Sequence, residues 1–150
     1  MNLKSILDNE NKYWDKLILQ SEQGSIFSSN LQLDFYKNNF KIFKYVFFDE
    51  NKNFPIACVP ILIGDEKPIF NIYNGIIYNH EILSIVNNSK RCSKILGYSE
   101  KIINELNKNH ENINLTLHPY FEDLRPFQWF NYHEQSKPKF KIELKYTGIL

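Results

Sequence analysis

The sequence predicts a single α/β domain with a mixed β-sheet that is covered by helices on both faces. Its 150 residues match the usual size of one domain, and 43% hydrophobic residues are enough to form a core. The apolar periodicity alternates between helical spacing and strand-like runs along the chain. The early strand-like runs are apolar on both sides, which requires packing against both faces of the sheet.

Two short helices are predicted before the first predicted strand. Residues 13–20 carry apolar side chains at helical spacing, and Gly24 after them suits a helix stop. Ser28 or Ser29 is suited to cap a second helix that continues through Tyr36.

Three antiparallel strands are predicted next. Residues 42–48 and 54–63 are rich in β-branched and aromatic side chains and flank a polar turn, which predicts a hairpin. Pro60 lies inside the second of these strands, so that strand is expected to form an edge or to carry a bulge there. Residues 69–78 predict a third strand, which an Asn-Gly pair interrupts.

The second half of the chain begins with the longest predicted helix, residues 84–110, which carries an apolar stripe. Residues 113–117 alternate apolar and polar side chains and predict a strand beside the earlier ones. A short helix after Pro126 and a last strand over residues 140–146 complete the predicted order, α-α-β-β-β-α-β-α-β.

Composition and charge exclude several classes of protein. A net charge of +1 with scattered lysines does not fit a nucleic-acid-binding protein, which carries a clustered basic surface. Cys58 and Cys92 form no CxxC pair and are expected to be buried free thiols. No secretory signal and no membrane span are predicted, so the expected location is cytoplasmic.

The most specific motif lies in residues 123–132, which read DLRPFQWFNY and are followed by Tyr146-Thr147. This segment resembles the D-x-R-P-F-x-W-x-x-Y…Y-T signature of a FemAB-like group of GNAT acyltransferases. Three weaker similarities support it: the opening at residues 13–15 and 24–29, the proline-ended strand at residues 56–61, and the Gly-bearing strand at residues 73–78. The predicted order of elements also resembles the GNAT acyl-CoA N-acyltransferase fold.

The resemblance implies that residues 1–150 form a GNAT-like domain, the N-terminal half of a two-domain N-acyltransferase. Such enzymes transfer an acyl or aminoacyl group to an amine of a small molecule, a sugar or a cell-wall precursor. The implied partners are a second GNAT-like domain or subunit and a small-molecule amine acceptor. Acyl-CoA or an aminoacyl donor is expected for the complete enzyme, and this half is expected to shape the acceptor groove. The chain ends on apolar residues, which favours a continuation or a partner surface.

A GNAT donor site needs a Q/R-x-x-G-x-G/A loop, whose backbone N–H groups face the pyrophosphate at a helix N-terminus. The corresponding residues 73–81 contain one glycine, Gly75, and no basic residue at the required spacing. We therefore expect this domain to bind no cofactor and to be inactive alone. Gly75 is expected to be a bulge or turn residue.

Six residues are candidates for substrate binding. Arg125 can grip a carboxylate or phosphate, with Asp123 beside it and Trp129 and Tyr132 as an aromatic wall. The other interpretation is that the Asp123–Arg125 pair only shapes the loop while the aromatic residues pack underneath. The sequence leaves both open and favours the second. The remaining two candidates are Tyr146, at the end of the same signature, and Asn74, in the Gly-bearing strand at residues 73–78.

Other chemistry has weaker support. The four histidines show no metal-ligand spacing, and no catalytic residue can be assigned. His133 and Glu134 are a weak candidate pair for deprotonating an amine, and Cys58 has no evident base partner. The alternative function is a non-catalytic, degenerate GNAT domain that acts as a binding or assembly module.

Overall fold

The computed structural model describes residues 3–9, 12–49, 54–65 and 72–145. These residues form an α+β domain with four strands and five α-helices. The strands are β1 (Leu3–Leu7), β2 (Lys41–Asp49), β3 (Phe54–Ile63) and β4 (Ile77–Tyr78). The helices are α1 (Trp14–Gln20), α2 (Asn30–Tyr36), α3 (His80–Leu83), α4 (Asn88–Asn109) and α5 (Arg125–Trp129), and a 3₁₀ turn (Ile26–Ser28) precedes α2.

The four strands form one open sheet in the order β1-β2-β3-β4, and every neighbouring pair is antiparallel. The predicted β2–β3 hairpin is confirmed. Because β4 pairs only with Ala57 and Cys58, Pro60 lies where β3 has no second neighbour among the described residues. The edge position, one of the two predictions made from Pro60, is therefore confirmed. The other, a bulge, is not at Pro60, since the register shift between β2 and β3 falls at Phe47/Phe48.

One face of the sheet packs against α1 and α2. Trp14 is fully buried here, and Leu33 of α2 reaches the same cluster. Buried side chains from three strands complete it: Val46, Phe48, Cys58 and Ile77. The cap of α2 is Ser29, one of the two predicted candidates, whose Oγ accepts a hydrogen bond from the backbone N–H of Gln32.

The opposite face of the sheet packs against α4. The buried residues of this helix recur at helical spacing and are Ile95, Tyr98, Ser99, Ile102, Ile103 and Leu106. They contact alternate strand residues such as Phe47 and Val59. Helices thus cover both faces of the sheet. This confirms the prediction that strands with apolar side chains on both sides are packed on both faces.

Several predicted boundaries were wrong. The helix predicted from residue 84 begins at Asn88, because the Asn87 side chain caps it by accepting a hydrogen bond from Lys90 N–H at 2.9 Å. Of the third strand, only Ile77–Tyr78 is regular, and residues 69–71 lie outside the described part of the chain. Strand β1 was not predicted. Its five residues mix partly buried and exposed side chains, which left no clear alternation.

The strands predicted at residues 113–117 and 140–146 are not formed within residues 72–145. Ile113, Leu115 and Leu117 do pack against the α4-side core, as their alternation implied. However, among the described residues the backbone hydrogen bond that joins this segment to the sheet region runs from Thr116 N–H to the carbonyl of Asn74, at 3.3 Å. Alternation therefore marked a half-buried extended segment rather than a strand. The described sheet is antiparallel, not mixed.

Gly24 has a different role from the helix stop that the sequence predicted. Helix α1 ends at Gln20 with an extended cap residue, Ser21, and Gly24 has no positive φ. A Cβ atom placed on Gly24 would lie 1.8 Å from the carbonyl oxygen of Ile18. This glycine is required because the chain folds closely against the end of α1.

A buried histidine follows the end of α4. His110 lies 2.9 Å from the hydroxyl of Tyr45, measured from Nε2, and its ring contacts Phe43 edge-on. Burial lowers the pKa of the His110 imidazole below its usual value. The neutral ring is therefore the form that the folded chain accommodates.

We expect the free energy of unfolding to fall as the pH drops below about 6.5, the usual histidine pKa. Since the folded pKa of His110 is lowered, the unfolded chain binds the proton more readily. The stability from neutral His110 is complete above the unfolded pKa and is lost as the pH falls toward the folded one. Urea denaturation at several pH values checks this, and His110→Gln should flatten the dependence. An unchanged slope in that variant would contradict the assignment.

Candidate functional site: the Arg125 cleft

A carboxylate and a guanidinium form the best-defined polar pair at the start of α5. Arg125 Nε donates to both oxygens of Asp123, at 2.8 and 3.1 Å, and Nη2 donates to Oδ2 at 2.6 Å. The backbone N–H of Arg125 also donates to Asp123 Oδ1 at 3.1 Å. This local turn orients the side chain of Arg125 while α5 begins.

The pair is asymmetric in its exposure to solvent. The Asp123 side chain is 10% exposed, whereas that of Arg125 is 46% exposed. The side-chain hydrogen bonds from Arg125 hold the pKa of the Asp123 carboxyl below its usual value. Asp123 is thus an ionised anchor, and among the described residues none accepts a hydrogen bond from Arg125 Nη1. One edge of the guanidinium is held, and the other is available to a ligand.

An open cleft lies beside this arginine. Trp129 and Tyr132 are 53% and 63% exposed, and they line a cleft of about 510 Å³ together with Gln128 and His133. The Arg125 guanidinium lies over the Trp129 ring, 5.5 Å from its centroid. An aromatic face beside a planar cation is suited to a ligand that carries both a ring and an anionic group.

A second cation, Lys139, contacts the cleft residue Tyr132. Lys139 Nζ is 5.8 Å from the centroid of the Tyr132 ring and donates to the Tyr132 carbonyl at 3.2 Å. Asn131 has a φ of 54°, which asparagine tolerates, and its side chain donates to the carbonyl of Pro138 at 2.8 Å. These contacts bring the 138–140 segment against the turn that follows α5.

The support under the cleft is aromatic. Phe127 is 5% exposed, and its ring contacts Phe121 and Phe140 with centroids 5.9 and 5.3 Å apart. Phe130 contacts Phe140 from another side at 5.3 Å. Four phenylalanines thus fix α5 to the core, so Trp129 and Tyr132 are not needed there as packing.

Some residues of the motif fit the loop-shaping interpretation and others fit the binding interpretation. Asp123 and Phe127 shape and anchor the loop, as the favoured interpretation held. Trp129 and Tyr132 are exposed beside Arg125, as the binding interpretation held. Four of the six candidates, Asp123, Arg125, Trp129 and Tyr132, are brought together here.

The other two candidates are not placed in the cleft. Asn74 is fully buried, and neither its Nδ2 nor its Oδ1 has a hydrogen-bond partner among the described residues. Tyr146 lies outside the described residues. Gln128, which the sequence did not single out, also lines the cleft beside Trp129. Lys139, which the sequence offers as one of three lysines that could attract an anionic acceptor, contacts Tyr132.

The segment where a donor loop would lie has another organisation. Short helix α3 begins directly after β4 and is capped by Asn79, whose Oδ1 accepts from Glu81 N–H at 3.0 Å. A Cβ on Gly75 would lie 2.8 Å from a Leu117 methyl group and 3.1 Å from the Thr116 carbonyl oxygen. Gly75 thus permits a close approach of two chain segments, which differs from the predicted bulge or turn role.

The His133–Glu134 pair and the two cysteines form no catalytic site in the described parts of the chain. Glu134 pairs with Lys137 at 2.7 Å, while the His133 ring contacts Tyr132, so the predicted His133–Glu134 base pair is not supported. Cys58 is a buried free thiol, as expected, and burial raises its pKa. Cys92 is also free but only partly buried. No group of three metal-ligating side chains occurs in the described parts of the chain.

Comparisons with known proteins leave the site to be judged on its geometry. No protein-family model matches the chain, and neither a curated protein nor a solved structure matches it. Within the described segments, no helix combines the length and apolar character needed to cross a membrane.

Proposed function

We propose that this chain is the acceptor-binding domain of a FemAB-like, GNAT-type N-acyltransferase that acts on an amine of a small molecule, sugar or cell-wall precursor. The observation that carries the proposal is the half-held guanidinium of Arg125 beside the exposed ring of Trp129. The motif in residues 123–132 supplies the link to acyl transfer. The described fold supports only the coarser α+β class, an antiparallel sheet with helices on both faces.

In this proposal, each side chain of the cleft has one task. Asp123 holds Arg125 beside Trp129, since two of the three guanidinium nitrogens donate to its carboxylate. The free edge of Arg125 binds an anionic group of the acceptor, and Trp129 packs on its ring face. Tyr132 closes the other wall. The acceptor amine would then attack a thioester held by a second GNAT-like domain.

The donor is assigned to that second domain because residues 73–81 lack the glycine-rich loop. Acyl-CoA is accordingly proposed for the complete enzyme and not for this chain. The same absence favours the second candidate function, a degenerate GNAT domain that binds a ligand or partner without catalysis. The two share the Arg125 cleft and differ in whether a donor domain acts on the bound molecule.

The expected result for the isolated chain is binding of an anionic amino sugar and no binding of acetyl-CoA. Glucosamine 6-phosphate carries the amine, the ring and the anion that the cleft would recognise. Amide shifts in a ¹H–¹⁵N correlation spectrum should map to residues 125–133 and saturate. Glucosamine, which lacks the phosphate, should bind more weakly because it leaves Arg125 unused.

Two outcomes would count against the proposal. Absence of saturable shifts at residues 125–133 would remove the acceptor site. Micromolar binding of acetyl-CoA by calorimetry would show that this domain holds the donor itself. Turnover after addition of a separately expressed donor domain would favour the enzyme over the non-catalytic module.

A further inference from the structure

The outer edge of strand β1 is open along its described length. β1 stands at one end of the sheet order β1-β2-β3-β4 and pairs with β2. No other strand among the described residues lies beside it. The backbone groups on its outer side are therefore available to an added strand, which is how an exposed sheet edge binds extended peptides.

The hydrogen bonds to β2 show which residues of β1 have outward backbone groups. Asp8, directly after β1, donates its backbone N–H to the carbonyl of Lys44 in β2 at 2.9 Å. Successive residues of a strand direct their backbone groups to opposite sides, so every second residue before Asp8 also faces β2. The N–H and carbonyl groups of the remaining residues of β1 point outward, and these residues are Leu3, Ser5 and Leu7.

A cleft of about 380 Å³ lies between this strand and α4. Leu3 and Ser5 line it, so two of the three residues with outward backbone groups also border the cleft. The α4 residues that line it share one helical face and are Lys101, Asn104, Glu105 and Lys108. An extended chain bound along β1 would therefore place its α4-facing side chains beside polar and charged groups.

The charged side chains of this cleft carry an excess of positive charge. Lys108 Nζ lies 3.3 Å from a carboxylate oxygen of Glu105, so these two charges balance each other. Lys101 is exposed, and none of the ion pairs formed by the described residues includes it. An anionic side chain in the cleft would gain a cation without separating an existing pair.

We propose that the β1 edge binds an extended acidic peptide, which adds to the sheet as an antiparallel strand and places acidic side chains beside Lys101. Main-chain hydrogen bonds to Leu3, Ser5 and Leu7 hold the peptide, and the cleft selects its side chains. Every described strand pair is antiparallel, so antiparallel addition continues the sheet. This surface shares no lining residue with the Arg125 cleft and is independent of the function proposed above.

Antiparallel pairing decides which residues of the peptide face α4. Directly opposite residues of two antiparallel strands place their side chains on the same face of the sheet. Leu3 packs against the core on the α4 side, and Ser5 and Leu7 share its face by alternation. The peptide residues that exchange hydrogen bonds with these three therefore face α4 as well. The acidic residues must accordingly be those whose own N–H groups donate to β1.

A second copy of this chain fits the edge less well. Two β1 strands paired about a two-fold axis would bring each cleft against the same cleft of its partner. The unbalanced charge of Lys101 would then face an identical charge, because Glu105 is already paired with Lys108. An acidic peptide meets no such repulsion.

The test is a titration of the whole chain with the peptide TEVEVET, acetylated and amidated at its ends and followed by amide shifts in a ¹H–¹⁵N correlation spectrum. We expect saturable shifts at residues 3–8 and 101–108. The peptide TKVKVKT should bind about tenfold more weakly or worse. N-methylation of the three glutamates removes the N–H groups that would donate to β1 and should abolish binding. N-methylation of the two valines, whose N–H groups face solvent, should leave the affinity unchanged.

Four results would overturn the proposal. One is the absence of saturable shifts at those residues with TEVEVET at millimolar concentration. Equal binding of TKVKVKT would remove the role of charge, and equal binding of the peptide with N-methylated glutamates would remove the strand pairing. A dimer in sedimentation experiments that Ser5→Pro dissociates would assign the edge to a second copy instead.

Variants of the chain separate the cleft from long-range charge. Lys101→Glu should weaken TEVEVET about tenfold and strengthen TKVKVKT. Lys90→Glu makes the same charge change at an exposed position in the first turn of α4 and should bind both peptides as the parent does. Ser5→Pro removes an outward N–H and no bond to β2, so it should abolish binding with little change in the unfolding midpoint. Equal weakening by the two lysine variants would contradict a role for the cleft.

Discussion

Replacing Trp14 with alanine is expected to destabilise the domain by about 3–5 kcal/mol. The Trp14 side chain is fully buried between α1 and the sheet, so its removal leaves a large cavity. Its indole N–H also donates to the Ser28 carbonyl at 2.8 Å, which would lose that partner. Because a domain of this kind is stable by roughly 5–15 kcal/mol, the loss is a large fraction of the total. Urea denaturation monitored by circular dichroism measures it.

The second tryptophan provides the control for this result. Trp129 is 53% exposed, so Trp129→Ala should cost about 1 kcal/mol or less. Trp14→Phe should fall between the two, since it keeps an aromatic ring but loses the hydrogen bond and part of the buried volume. Equal costs for the two alanine variants would contradict the placement of Trp14 in the core and Trp129 at the surface.

Gly24→Ala is expected to destabilise the domain by about 3 kcal/mol, although it adds only a methyl group. The added Cβ would lie 1.8 Å from the Ile18 carbonyl oxygen and 2.8 Å from the Ile18 carbonyl carbon. Both atoms belong to the backbone, so no side chain can rotate away, and the close approach to α1 must open. Thermal unfolding of the variant measures the loss.

A matched alanine substitution at the end of α1 tests whether the clash with the Ile18 backbone causes this loss. Gln20→Ala also places alanine in this region, but Gln20 is exposed, so a change within about 0.5 kcal/mol is expected. A Gly24→Ala variant as stable as the parent would mean that residues 21–25 leave α1 by a different path.

Periodicity predicted the parts of the fold in which one side of an element is buried. The hairpin of β2 and β3, helix α1 and the interior of α4 all have this property. Periodicity failed for residues 113–117, because an extended segment packed on a core alternates in the same way as a strand. Strand β1 was missed because it is a sheet edge with mixed exposure.

Local sequence offered the Arg125 site as one of two open interpretations, because its main residues lie within ten positions of each other. Asp123, Arg125 and Trp129 are brought together by one turn and one short helix. The exposure of Trp129 could not be found in this way, because it depends on Phe127 and the other phenylalanines that fill the space under α5.

The most direct test of the central claim is the affinity of glucosamine 6-phosphate for Trp129→Ala and Arg125→Gln, measured by calorimetry beside the unfolding free energy of each variant. If the cleft is a binding site, both variants lose about tenfold or more in affinity, which corresponds to about 1.4 kcal/mol. Trp129→Ala should also stay within about 1 kcal/mol of the parent in stability. If Trp129→Ala binds the ligand as the parent does, or if its loss of binding is matched by unfolding, the cleft is a folded loop and not an acceptor site.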